Sequence, residues 1–131
     1  MSAKPQLRIL VVDDDNDSAT TTAWLLESMG YPDHYIAQSG PEALELAQEV
    51  LPDVILLDIG MPGMNGYEIC RELRRNKLFA NTLIVAQTGW GQDRHREMAW
   101  FAGFNEHLVK PLRPVDLEAV FAKLGRRALS V

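Results

Sequence analysis

Three short runs rich in Val, Ile and Leu, at Leu7–Val12, Val54–Leu57 and Leu83–Ala86, constrain this chain more than any other feature. A strand with one face in water alternates apolar and polar residues. A strand that is apolar along its length must be covered on both faces, as parallel strands flanked by helices are. Weaker strand candidates lie at His34–Gln38 and Glu106–Val109. Between the runs lie helical patterns at steps of 0, 3, 4 and 7: Thr22, Leu25, Leu26 and Met29; Ala43, Leu46, Ala47 and Val50; Gly66, Ile69, Cys70 and Leu73; and Leu117, Val120, Phe121 and Leu124. The punctuation agrees, with Gly30 closing the first helix, Ser39-Gly40-Pro41 opening the second, Asn65-Gly66 opening the third and Pro114 starting the last. Strand and helix alternate throughout, which predicts an α/β domain with a parallel sheet and helices on both faces.

The chain of 131 residues is the size of one domain with one core. After the last helical pattern only Gly125–Val131 remains, so a single domain, with its core at about 7–124 and no output domain in this chain, is expected. A net charge of −5 argues against the backbone of nucleic acid as a partner. The single cysteine, Cys70, excludes an internal disulfide and any multi-cysteine metal site, and suits a reducing compartment. No aliphatic run approaches the length of a membrane span and MSAKPQ does not resemble a signal peptide, so the expected location is the cytoplasm, away from the membrane.

In open α/β sheets, ligands bind beyond the carboxyl ends of the strands, where strand order reverses. The first strand runs into Asp13-Asp14-Asp15, the third into Asp58, the fourth into Thr88 and the fifth into Lys110. Taken singly, an Asp after a strand is most often a helix cap, and a Lys before Pro a solvated side chain. Taken together they are not inert, because carboxylates gathered at one sheet edge repel one another unless a cation offsets them. Only oxygen donors are on offer, so the cation should be hard; Mg²⁺ fits best, with Mn²⁺ as a substitute. Lys110 then serves as a point charge toward phosphoryl oxygens and Thr88 as a hydroxyl donor, leaving one carboxylate free as a nucleophile. The constellation suits an aspartyl phosphate, with alignment and charge neutralisation as the protein's contribution.

The segments LRILVVDDD, VILLDIGMPGMNGYE, VAQTGW and HLVKP resemble the receiver domain of bacterial two-component response regulators, over Leu7 to Leu124. The resemblance implies the flavodoxin-like receiver fold, five parallel strands in the order 2-1-3-4-5. It makes Asp58 the phosphoacceptor and Asp13 with Asp14 the acidic pair at Mg²⁺, Asp14 directly and Asp13 through water. The backbone carbonyl of Gly60 would be a further metal ligand. It also makes Thr88 the hydroxyl that closes on the phosphoryl group, Lys110 its ion-pair partner, and Lys110-Pro111 a cis bond. The implied partner is a sensor histidine kinase or a histidine phosphotransfer protein. The implied function is that of a phosphorelay switch with self-phosphorylation and autodephosphorylation chemistry, not of an enzyme acting on a metabolite.

Two positions depart from the family pattern. His107 stands where Tyr or Phe is usual, at the ring that turns inward as the threonine moves. Trp90, two residues beyond Thr88, places a bulky indole where water would reach the acyl phosphate. In the helical stretch Asp93–Ala102, the inner face is His95, Met98, Ala99 and Ala102, so Trp100 is expected to point outward. The surface of the fourth helix, fifth strand and fifth helix is the family's usual output face, which makes Trp100 a candidate contact for a partner or for a second copy in a homodimer. The run TGWGQDRHREMAWFAGFNEHLVKP is similar to receivers of hybrid kinases, so a stand-alone regulator and an excised receiver both stay open. Two rivals fit less well. A phosphatase of the haloacid dehalogenase kind carries a second Asp where Gly60 stands, and a flavin- or nucleotide-binding module needs a glycine- or hydroxyl-rich loop where Asp13-Asp14-Asp15 stands. A degenerate receiver would lack key side chains that are present here.

Overall fold

The computed structural model describes residues 7–61, 63, 65–89 and 102–129. Its elements are β1 (Ile9–Val12), α1 (Asn16–Ser28), β2 (His34–Ala37), α2 (Gly40–Val50), β3 (Val54–Asp58), α3 (Gly66–Arg75), a 3₁₀ turn (Lys77–Phe79), β4 (Leu83–Thr88), β5 (Glu106–Val109) and a C-terminal helix (Pro114–Leu129). The five strands form one parallel sheet in the order β2-β1-β3-β4-β5. This is the expected flavodoxin-like architecture.

The unbroken apolar runs are explained by the two cores they separate. Leu10, Val12, Ile55, Leu57, Ile84 and Ala86 point to one face, where they meet Ile69, Cys70 and Leu73 of α3 and Ala43 and Ala47 of α2. Ile9, Val11, Val54, Leu56, Leu83 and Val85 point to the other, against Ala19 and Leu26 of α1 and Leu117, Val120 and Phe121 of the C-terminal helix. Neither face reaches water, so alternation has nothing to select. Cys70 is buried in the first core, and that burial pushes its thiol up to about 11.

Helix starts follow their caps. Asp15 accepts the backbone N–H groups of Asp17 and Ser18, and Ser39 accepts that of Glu42. Asn65 and Glu68 form a reciprocal capping box. Gly30, just past α1, has φ 94°, a conformation that costs glycine little. The strands are trimmed relative to the sequence reading at Leu7–Arg8 and Gln38, while β3 and β4 extend to Asp58 and Thr88. The C-terminal helix continues past Leu124 to Leu129, because a glycine at position 125 weakens a helix without ending it. The helical stretch expected at Asp93–Ala102 lies outside the described residues except for Ala102, which is buried.

Gly66 couples the fold to what sits at the end of β3. A methyl group there would lie 2.6 Å from Ile59 Cα and 2.7 Å from the Asp58 carbonyl oxygen, both backbone atoms. The first turn of α3 therefore rests on the chain directly after Asp58, and only glycine permits the approach. We expect Gly66→Ala to lower unfolding stability in urea by about 2 kcal/mol, within the range for overpacking a close-packed core. An unchanged midpoint would contradict this contact.

Candidate functional site

The sheet register assembles the site. Val12 pairs with Leu57 across β1 and β3, so the next residues, Asp13 and Asp58, emerge side by side at the carboxyl edge. The Asp13 N–H donates to the Ala37 carbonyl and that of Ile59 to the Gln87 carbonyl, so the backbone just past β1 and β3 stays tied to the neighbouring strands. On the far side of the site, the Lys110 N–H donates to the Thr88 carbonyl at 2.8 Å and holds the end of β5 against β4. The Lys110-Pro111 bond is cis.

Asp13, Asp14 and Asp58 each bring a carboxylate oxygen within 4.8 Å of the others. Asp13 is fully buried, Asp58 partly, and Asp14 is exposed. The Asp15 at the end of the acidic run takes the capping role, which leaves Asp13 and Asp14 free of it. Asp13 Oδ1 accepts the Asp15 N–H at 3.0 Å, and Asp58 Oδ1 accepts the Gly60 N–H at 2.8 Å. Lys110 Nζ donates to Asp13 Oδ2 at 2.9 Å, to Asp58 Oδ2 at 3.2 Å and to Ser18 Oγ at 3.2 Å. Those three acceptors match the three protons of an ammonium.

These contacts separate the two inner carboxylates. Burial pushes Asp13 up, but the Lys110 ammonium, the Ser18 hydroxyl and the Asp15 N–H outweigh it and hold this carboxyl below its ordinary range. At Asp58 burial prevails, helped by the charge of Asp13, and the Gly60 N–H and Lys110 offset it only in part, so its pKa is raised. Lys110 loses solvation, yet its bonds to Asp13 and Asp58 and their charges raise its pKa. The ammonium stays protonated, and Asp58 is the carboxylate with charge still to be neutralised.

Thr88, the last residue of β4, is buried, and its Oγ1 lies 2.9 Å from Nε2 of His107 on β5. The structure thus joins Asp13, Asp14, Asp58, Gly60 and Lys110 in one cluster and Thr88 with His107 in a second contact at the same sheet edge. Trp90 and Trp100 lie outside the described residues. Three contributors escaped the sequence reading. Ser18 reaches Lys110 from the first turn of α1, where a serine carries no distinguishing pattern. Gln87 is fully buried beside Thr88, its amide without a hydrogen-bond partner among the described residues, and it lines a cleft of about 420 Å³ between α1 and the Lys110–Leu112 turn. Arg74 donates to the carbonyls of Phe79, Thr82 and Gly103 and to Asn105 Oδ1, which also accepts the Ile84 N–H. It ties the end of α3 to the starts of β4 and β5.

Residues 9–122 match the family model of the response regulator receiver domain. The chain is 33% identical over 121 residues to the alkaline phosphatase synthesis transcriptional regulatory protein PhoP of Bacillus subtilis, covering 92% of this chain and 49% of that one. Among solved structures it is similar to a putative response regulator from Chloroflexus aurantiacus, with a TM-score of 0.84 and 32% identity over 92% of this chain and 98% of that one. It also resembles the receiver domain of a sensor histidine kinase from Pseudomonas aeruginosa, solved with magnesium coordinated in its active site cleft. There the TM-score is 0.82 and the identity 29%, over 92% and 99% of the two chains.

A five-stranded parallel sheet in this order with an acidic cluster at its switch point defines a receiver-type signalling module rather than a metabolic enzyme. The chain belongs to the response regulator receiver domain family of two-component systems. It spans about half the length of PhoP and of several other transcriptional regulators that it matches. Among the described residues, no helix is long and apolar enough to cross a membrane.

The opposed shifts of the two carboxylates can be tested without any ligand. Asp58 has a folded-state pKa above its ordinary 3.8, so its ionisation works against folding at neutral pH, and that effect disappears below about pH 3.8, where both states hold the proton. In buffer containing a chelator, Asp58→Asn should therefore be more stable than the parent at pH 7. The gap should close as pH falls toward 4, measured by urea unfolding. A less stable variant at pH 7 would contradict the assignment.

Proposed function

We propose that this chain is the phosphoacceptor switch of a phosphorelay. It takes a phosphoryl group onto Asp58 from a phosphohistidine of a sensor kinase or histidine phosphotransfer protein. The observation that carries this reading is the group at Lys110: three carboxylates at one sheet edge, of which a single ammonium bonds only Asp13 and Asp58, with the pKa of Asp58 raised. A cluster serving only to stabilise the fold would not gather like charges there.

The donor set suits a hard divalent cation such as Mg²⁺, since it offers carboxylate oxygens without sulfur or imidazole. Asp13, Asp14, Asp58 and the Gly60 carbonyl would hold it, and when bound it supplies positive charge to the oxygens of the transferring group. The chain's own residues do the rest. An Asp58 oxygen attacks phosphorus, the O–P bond forms as the N–P bond of the donor breaks, and the imidazole nitrogen leaves with the electron pair and takes a proton. Lys110, already bonded to Asp58, stays beside the acyl phosphate as a fixed cation. Thr88 offers its hydroxyl to a phosphoryl oxygen. Gly60 keeps its N–H on Asp58 and orients the carboxylate. Hydrolysis of the acyl phosphate to carboxylate and inorganic phosphate resets the protein.

Phosphorylation then biases two conformations of the surface that includes β5 and the C-terminal helix. Val109 and Val115, 40% and 64% exposed, are apolar residues open to a partner or second copy on that surface. The net charge of −5 supports a protein rather than nucleic acid as the direct partner. Exposure to acetyl phosphate with Mg²⁺ should add one phosphoryl group to the intact mass, labile to mild base and abolished in Asp58→Asn. The same gain in Asp58→Asn would reject the assignment.

A further inference from the structure

Thr88 can bind a phosphoryl oxygen only with its one hydroxyl hydrogen, and the hydroxyl is already engaged by a second polar group. Its Oγ1 sits 2.9 Å from His107 Nε2, and Thr88 is 1% exposed, so water does not compete freely for it. Two arrangements satisfy that contact. With the ring proton on Nδ1, Nε2 accepts and the hydroxyl hydrogen is committed to the imidazole. With a proton on Nε2, the ring donates, Oγ1 accepts, and the hydroxyl hydrogen turns to another acceptor. Only the second leaves Thr88 a donor for a phosphoryl group. The contact is built into the sheet: β5 pairs with β4 so that His107 lies opposite Ala86 and Val109 opposite Thr88, which keeps the imidazole beside the hydroxyl.

We propose that His107 is a positioning residue for phosphoryl binding: its Nε2–H donates to Thr88 Oγ1 and directs the threonine hydrogen toward the group carried by Asp58. The proposal rests on the phosphoacceptor reading of Asp58. It assigns His107 a task that a phenyl ring in the same place cannot perform, because a phenyl ring has nothing to donate. Loading of Asp58 supplies the acceptor that favours the Nε2–H form.

The test uses the whole chain labelled with ¹⁵N-histidine, at one pH, before and after addition of Mg²⁺ with beryllium fluoride, a phosphoryl mimic. The His107 signal, assigned by its loss in His107→Phe, should show a protonated Nε2 in the loaded protein. A loaded protein whose Nε2 remains an unprotonated acceptor overturns the proposal. A second arm follows the rate of labelling by acetyl phosphate. His107→Phe should slow it about twofold to tenfold, the range for one lost hydrogen bond, and His107→Gln, which restores an N–H, should return most of it. In a Thr88→Val background the His107 substitution should have no further effect. Equal rates for His107→Phe and the parent reject the role of His107 while leaving Asp58 as acceptor. A parent that takes no phosphoryl group rejects the phosphoacceptor reading and this proposal with it.

Discussion

The structure is organised around an electrostatic problem at the carboxyl edge of the sheet. Asp13 is fully buried and Asp58 partly so, side by side, and among the described residues Lys110 is the one ammonium that bonds both. Carboxylates in a place of reduced solvation repel strongly unless a cation meets them. A single ammonium gives its shortest bond to Asp13 and leaves Asp58 only partly compensated. That asymmetry makes one carboxylate a fixture and leaves the other with its charge partly unmet.

Much of the surrounding fold serves to keep this arrangement in register. Parallel pairing of β1 with β3 sets Asp13 beside Asp58, and pairing of β4 with β5 brings Lys110 to the end of Thr88. α3 presses against the chain after Asp58 through Gly66 and begins there with a capping box. Arg74, at the other end of α3, bonds the segments that lead into β4 and β5. One helix therefore contacts both halves of the site's framework, and a shift of β4 relative to β5 would have to break the Arg74 bonds or carry them along.

The parallel sheet and the acidic cluster were legible in the residues because each has a local signature, whereas the strand order came only with the family resemblance. Uninterrupted aliphatic runs mark buried parallel strands, and Asp13, Asp14 and Asp58 stand at strand ends whatever the rest of the chain does. The separation of Asp15 from its neighbours as the helix cap was legible only as a possibility for the whole acidic run, since several Asp residues compete for one cap. Ser18, Gln87 and Arg74 were not legible. Their roles depend on partners far along the chain, such as Lys110 for Ser18 and Gly103 and Asn105 for Arg74, and neither spacing nor composition reports such contacts. His107 was conspicuous as a departure from the family pattern, but its hydrogen bond to Thr88 emerged only once β4 and β5 were paired.

If the carboxylate cluster is a cation site, binding must favour the folded state over the unfolded chain. Unfolding stability of the metal-free protein should therefore rise steadily with Mg²⁺ concentration, and Asp14→Asn, which removes the exposed carboxylate without touching the Asp13–Lys110 bond, should blunt the rise. A parent protein whose stability is indifferent to millimolar Mg²⁺, or an Asp14→Asn variant that responds as fully as the parent, would contradict the account.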